Sequence, residues 1–206
     1  MQVRIISGSL GGRRLNVPST FSAKPMGERI RSSIFNSLGP LEDTYVLDLF
    51  SGSGVCGLEA LSRGAASVTL IEKDLSVFKL LRKNLVALNL KPSTNLKLIN
   101  STAFSFLKSY AGPSFQIIII DPPYNLLRSK DPKNKTEQNG SVNFPFHETI
   151  NLAATKLNSN GSLILSWPES EELPEIIGLK LTKFKGYAGA QIGWYQAAES
   201  TADSLE

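Results

Sequence analysis

The sequence is short of the residues that build disulfides and metal centres. Its 206 residues include one cysteine, Cys56, and one histidine, His147. A lone cysteine excludes an intramolecular disulfide framework and fits a reducing, cytoplasmic setting. One residue of each type also argues against a zinc site, so no metal is expected. No run of eighteen apolar residues occurs, so no membrane partner is expected, and the opening Met1 to Arg14 lacks the apolar block of a signal peptide. Acid is scarce at the start. Residues 1–40 carry Arg4, Arg13, Arg14, Lys24, Arg29 and Arg31 against Glu28 alone, a net +5, and the remainder nets −1. A small basic segment on a near-neutral body suits a contact arm for a polyanion.

What is present is an ordered alternation. Apolar residues make up 41% of the chain, enough for one domain's core. Residues 3–6 and 14–17 are β-prone and flank a glycine-rich turn, which predicts an N-terminal hairpin. Ile30, Ile34, Phe35 and Leu38 fall at helical spacing, stopped by Gly39-Pro40. Strand signals at 45–50, 67–71, 96–99, 115–120 and 162–165 then alternate with helix signals. This pattern predicts an α/β fold with a mostly parallel sheet. Two further runs, near 179–185 and 190–196, predict an antiparallel hairpin at the sheet edge. The polar stretch 126–143 breaks the alternation as a long loop, and 197–206 is expected to be a flexible tail. The expected organisation is a basic hairpin and helix over 1–40 and a catalytic domain over 41–196.

Three motifs carry chemistry. The first is Leu47-Asp48-Leu49-Phe50-Ser51-Gly52-Ser53-Gly54-Val55-Cys56-Gly57, between a strand and a helix. Its G-x-G-x-x-G spacing lets backbone approach a ligand closely, and it fits a dinucleotide site equally well. The second is Glu72 with Lys73, at the end of the next strand. A carboxylate about 20 residues after the glycines can accept ribose hydroxyls, and it does not separate NAD from S-adenosylmethionine. The third is Asp121-Pro122-Pro123-Tyr124, after an unbroken Ile-Ile-Ile-Ile strand.

The third motif decides between them. An exocyclic amine on a base is a poor nucleophile, because its lone pair is delocalised into the ring. The Asp121 carboxylate and the Pro122 carbonyl can accept hydrogen bonds from both amine protons and aim that lone pair. The prolines stiffen the backbone, and Tyr124 offers a face for a flipped base. Cys56 and His147 have no part in this chemistry, and Trp167 and Trp194 read as core or rim residues.

Asp-Pro-Pro-Tyr after a glycine-rich first motif resembles the amino-methyltransferases of DNA and RNA. The N-terminus narrows the likeness. Arg4-Ile5-Ile6-Ser7-Gly8, Gly12-Arg13-Arg14-Leu15, Lys24-Pro25, Glu28-Arg29-Ile30-Arg31, Ile34-Phe35-Asn36 and Leu58-Glu59-Ala60-Leu61-Ser62-Arg63-Gly64-Ala65 resemble the RsmD family. The chain departs from that pattern at Lys24, Met26 and Ser32, and at Asn100 to Ala103, where methyltransferases commonly carry an acid.

The resemblance implies a Rossmann-like class I methyltransferase with a seven-stranded sheet and a small N-terminal β-hairpin appendage. It implies S-adenosyl-L-methionine as cofactor, held by Asp48, Phe50, Ser51, Gly52, Ser53, Gly54, Glu72, Lys73, Thr102, Ala103 and Asp121. Asp121, Pro122 and Tyr124 would be catalytic. Arg13, Arg14, Arg29 and Arg31, with Tyr124, would meet the RNA. The implied reaction is methylation of guanine N2 in 16S ribosomal RNA, within a small-subunit assembly particle, by a monomer. The rival readings are a DNA or protein-glutamine amino-methyltransferase, an NAD-dependent oxidoreductase and a non-catalytic RNA-binding protein.

Overall fold

The structure, a computed structural model, describes residues 1–17, 25–124 and 145–198. The predicted 126–143 loop and all but the first two residues of the predicted tail lie outside the described residues.

Strands β1 (Gln2–Arg4) and β2 (Arg14–Asn16) pair antiparallel as a separate two-stranded sheet, with Val3 opposite Leu15. The turn between them needs glycine at position 8. Gly8 has φ +82°, and a Cβ there would lie 1.7 Å from the Ser62 carbonyl oxygen. Helix α1 (Glu28–Leu38) follows and ends at Gly39.

The main body then alternates β3 (Tyr45–Asp48), α2 (Val55–Ser62), β4 (Ser67–Glu72), α3 (Leu75–Ala87), β5 (Leu96–Asn100), α4 (Ala103–Ser109) and β6 (Phe115–Ile120). It closes with α5 (Phe146–Ala154), β7 (Leu157–Trp167), β8 (Leu179–Tyr187) and β9 (Ala190–Ala197). Helix α3 starts at Asp74, whose carboxylate accepts from the Ser76 and Val77 N–H groups, and α4 starts at Thr102 in the same way. Strand β7 runs eleven residues, longer than its apolar stretch suggests, because its start pairs with Phe115.

The seven strands lie in the order β5-β4-β3-β6-β7-β9-β8. Pairing is parallel from β5 to β7, and β9 runs antiparallel between β7 and β8. The strand order reverses between β3 and β6, and the crevice at such a switch point is where open α/β sheets bind ligands. The antiparallel β9 departs from the all-parallel order of a dinucleotide-binding sheet.

Strand β6 is buried on both faces, and its isoleucines alternate between two cores. Ile117 and Ile119 enter a cluster with Ile34, Phe35, Leu58, Leu81 and Trp194 on the α1–α3 face. Ile118 and Ile120 enter another with Phe106, Leu107, Ile150 and Leu165 on the α4–α5 face. Ile5, Leu15 and Met26 belong to the first of these clusters. The hairpin therefore has its own sheet but shares the core of the body. Among the described residues, no helix is long and apolar enough to cross a membrane.

Candidate active site

The first wall of the crevice is the glycine turn after β3. Asp48 ends the strand, and its carboxylate accepts the Gly57 N–H at 3.0 Å, folding the turn back onto the strand. Ser51 donates its hydroxyl to the Asp48 carbonyl (2.9 Å) and its N–H to the Ile71 carbonyl (3.0 Å). Gly52 and Gly54 have φ of +53° and +83°, a region L side chains rarely adopt. Packing adds its own demand. A Cβ on Gly54 would meet Leu81 at 2.4 Å, and one on Gly57 would meet Leu70 at 2.2 Å. The Ser53 carbonyl accepts from Asn84 (3.2 Å), and Phe50 stacks at a tilt on Phe146, with ring centres 6.2 Å apart.

The second wall is the end of β4. One Glu72 oxygen accepts the Gly52 N–H (3.0 Å), and the other accepts the Asp74 N–H (2.8 Å). Asn100 donates to the Glu72 and Lys73 carbonyls, at 2.8 and 3.1 Å, and so fixes the strand end. The Lys73 side chain faces solvent. The Thr102 hydroxyl is committed to capping α4 and to Ser105. Ala103 is the first residue of that helix, where a backbone N–H has no acceptor within the helix.

The third wall is Asp121-Pro122-Pro123-Tyr124, beyond β6. Tyr124 is half-buried, and its hydroxyl lies 2.9 Å from Ser166 Oγ and 3.2 Å from the Trp167 carbonyl oxygen. Ser166 also sits near the Asp121 carboxylate, where its hydroxyl favours the ionised form. Ser166 thus links the acid and the aromatic of the motif. Sequence reasoning misses it, although a hydroxyl at the end of the apolar Leu163-Ile164-Leu165 run, beside β6 in the sheet, is the available sign.

The electrostatics are strongly acidic. Burial raises the Asp48 carboxyl to about 7, and the neighbouring charges of Asp121 and Glu72 add to that rise against the Gly57 hydrogen bond. Burial also raises Glu72, against the hydrogen bonds from Asp74 and Gly52. Asp121 keeps some contact with solvent, yet the protein around it pushes its carboxyl up to about 6, opposed by the Ser166 hydrogen bond and the Arg31 charge. Three carboxylates under desolvation strain around one crevice make a site suited to a positively charged ligand. S-adenosylmethionine carries a sulfonium, an α-ammonium and a ribose diol. The free lone pairs of Glu72, the φ-positive glycine backbone and the negative field all fit it.

The arginines divide. Arg13, Arg14 and Arg29 are exposed, and Arg13 also reaches the Ala87 carbonyl at 3.4 Å. Arg31, expected to meet RNA, is 1% exposed. Its guanidinium donates to the Met26 and Arg4 carbonyls, pinning the hairpin to α1, so it is not presented to phosphates. Met26 is likewise a core residue. A structural acid also escapes sequence reading. The Glu59 carboxylate, fully buried, accepts the Ile6 and Ser7 N–H groups (2.6 and 3.1 Å) and Arg63 Nε (2.7 Å). Cys56, Trp167 and Trp194 are buried packing residues, and His147 lies on the surface of α5.

A parallel sheet reversing at β3 and β6, with a glycine turn, an acid at the second strand end and an antiparallel last insertion, defines a class I S-adenosylmethionine-dependent methyltransferase fold. The chain belongs to the RsmD family: the family model described as conserved hypothetical protein 95 matches residues 3–144. It is 43% identical over 140 residues to the ribosomal RNA small subunit methyltransferase D of Escherichia coli strain K12, covering 68% of this chain and 69% of that protein. The protein of the same name in Haemophilus influenzae is 40% identical over 126 residues, covering 60% of this chain and 65% of that one. A solved Escherichia coli structure, provisionally described as the methyltransferase yhhF, is 34% identical, with a TM-score of 0.77 over 97% of this chain and 100% of that one.

Proposed function

We propose that the chain transfers a methyl group from S-adenosylmethionine to the exocyclic N2 amine of a guanine in small-subunit (16S) ribosomal RNA. It would act as a monomer on RNA presented in a small-subunit assembly particle. The observation that carries this reading is the Tyr124–Ser166 hydrogen bond beside Asp121 at the end of β6, the strand paired with the one that leads into the glycine turn.

The cofactor supplies a methyl group already activated on a sulfonium. The protein's task is to place an amine in line with it. Asp121 and the Pro122 carbonyl would accept hydrogen bonds from the two amine N–H groups, which localises the nitrogen lone pair. Bound in the crevice, the cofactor would supply its methyl group to that nitrogen, the S–C electron pair staying on the neutral thioether as the N–C bond formed. The methylated nitrogen then sheds a proton, and Asp121, ionised above about pH 6, is the acceptor at hand. Ser166 and the Trp167 carbonyl anchor the Tyr124 hydroxyl, which leaves the ring face for the flipped base. Glu72 would accept the ribose hydroxyls, and the glycine turn would hold the cofactor through its backbone.

The test is methyl transfer from labelled S-adenosylmethionine to naked small-subunit RNA, to small-subunit particles and to DNA, followed by nucleoside mass spectrometry. N2-methylguanosine from the RNA or the particle supports the reading. Label on adenine N6 or cytosine N4, or binding of NAD in place of S-adenosylmethionine, would overturn it.

A further inference from the structure

The edge strand β8 reads Leu-Lys-Leu-Thr-Lys-Phe-Lys-Gly-Tyr, with three lysines and no acid. Strict alternation would put Lys180 and Lys183 on opposite faces. The register shifts between Leu181 and Lys183, so Lys180 lies opposite Gln196, Lys183 opposite Trp194 and Lys185 opposite Ile192. Gln196, Trp194 and Ile192 alternate along β9, and Trp194 and Ile192 belong to the α1-side core. Residues directly opposite across a ladder share a face, so all three lysines stand on the α1 face, spread over the four-residue span from Gln196 to Ile192, about 13 Å.

The elements that form the stripe carry little acid, the nearest beyond them being the exposed Glu42 and Asp43 after α1. Among α1, β7, β8 and β9 the acid is Glu28, and it is ion-paired to Arg4 at 2.9 Å. The acidic segment Glu169 to Glu175 packs on the other face, through Leu173 against Gly193 and the Pro174 carbonyl to the Tyr195 hydroxyl. Glu169 reaches only the β8–β9 turn, where it accepts the Gly189 N–H. Lys183 bridges β8 to α1, 4.9 Å above the Trp194 ring and 3.0 Å from Ser37 Oγ. It borders a polar cleft of about 290 Å³ with Ser37, Asn160, Thr182 and Gln196.

The stripe leads to the site. Lys185 and Ser166 both lie opposite Ile192, on either side of β9. Two strand spacings, about 10 Å, separate them, and Ser166 is bonded to Tyr124.

We propose that this lysine face of β8, with the neighbouring end of α1, is a second RNA-binding surface that holds the phosphodiester backbone of the substrate strand flanking the target nucleotide. The proposal rests on the ribosomal RNA reading above and adds a contact surface on the far side of the sheet's sequence from the N-terminal arginines. A polyanion is the occupant the charge calls for, and about 13 Å accommodates roughly four nucleotides of helical strand.

The experiment measures small-subunit RNA binding over a salt series, and methylation kinetics, for wild type, Lys183→Gln/Lys185→Gln and Lys180→Gln/Lys185→Gln. The second pair leaves the Lys183 contacts to Trp194 and Ser37 intact, which guards against a packing defect. Each pair should shallow the slope of log K against log salt by about 1.4–1.8, weaken binding roughly tenfold or more at 0.1 M salt, and raise the RNA KM with unchanged cofactor affinity. Folded variants that keep the wild-type slope and KM would overturn the surface. An unchanged slope accompanied by dimers that lysine-to-glutamate changes dissociate would overturn it in favour of edge pairing between two copies. If wild type fails to methylate RNA while the variants still flatten its binding slope, the reaction reading falls and the surface stands.

Discussion

Replacing Asp121 by Asn should make the protein more stable and much less active, and both effects should follow pH. The Asp121 carboxyl is pushed from 3.8 to about 6, first by burial. A folded state that holds its proton more tightly than the unfolded chain loses stability as pH rises from about 4 to about 6, and carries the full penalty above that range. The displacement corresponds to an upper bound of about 3 kcal/mol. Solvent reaches part of Asp121, so about 2 kcal/mol is the expected gain in the Asn variant at pH 8, or roughly 4–8 °C in Tm for a chain of this size.

Activity runs the other way. Only the ionised carboxylate can take the proton the methylated amine sheds, so wild-type kcat/KM should fall roughly tenfold between pH 8 and pH 5, since at pH 5 about one molecule in ten is ionised. The amide of the Asn variant cannot titrate, so the variant's rate should be flat across this range and lower by roughly 100-fold, the effect of about 3 kcal/mol in the barrier. Single-turnover methyl transfer and thermal melts at pH 4 to 8 measure both. A wild-type rate independent of pH, or an Asn variant that turns over at near the wild-type rate, would refute the mechanism. A variant that melts lower at pH 8 would refute the electrostatics.

Glu72→Gln should weaken S-adenosylmethionine by roughly tenfold, the effect of one charge-assisted hydrogen bond, and calorimetry with an unchanged Kd would remove Glu72 from the site. Ser166→Ala takes away the hydrogen bond that holds the Asp121 carboxyl down, so the acid limb of the pH–rate profile should move up while the RNA KM stays put. Ser166→Thr should restore the limb, and a limb that does not move would assign Ser166 to packing alone. Glu59→Ala strands the Ile6 and Ser7 N–H groups and Arg63, and should cost about 3 kcal/mol or more; a Tm within a degree of wild type would show that the hairpin is held by its apolar contacts. Arg13→Gln/Arg14→Gln should raise the RNA KM and shallow the salt slope by about 1.4–1.8 with unchanged Tm, whereas a lower Tm at constant slope would make this pair structural.

The strand-and-helix order is legible because two short-range signals carry it. Apolar period and glycine placement mark β3, β4, β6 and the β8–β9 hairpin to within a few residues. The Asp121 motif and Glu72 are legible for the same reason: each sits at a strand end that an apolar run announces. What escapes is whatever depends on register between distant segments. Ser166 matters because β7 lies beside β6 and brings it to Asp121. Arg31 is misplaced by sequence because charge alone says surface, while the carbonyls of Met26 and Arg4, converging on one buried guanidinium, say otherwise. The regional count of charge misleads similarly. A body netting −1 separates in space into a lysine face and an acidic segment on opposite sides of one hairpin.

The N-terminal 40 residues illustrate why the chain's boundaries follow from contacts and not from charge. Their strands form a separate sheet, yet the buried side chains of Ile5, Leu15, Ile34 and Phe35 complete the core that α2 and α3 begin. The polar ties run equally deep. Asn84 on α3 accepts the Asn16 N–H at 2.9 Å and donates to the Asn16 carbonyl at 2.9 Å. The same amide group donates to the Ser53 carbonyl in the glycine turn at 3.2 Å. One buried side chain thus joins the strand that carries Arg14 to the backbone proposed to touch the cofactor. Arg31 does the corresponding work at the other end of the segment, joining α1 to β1 while its charge acts on Asp121. Geometry set at the hairpin is therefore geometry set at both the turn and the acid. The appendage proposed to present cations to RNA is, in its packing, part of the scaffold of the crevice.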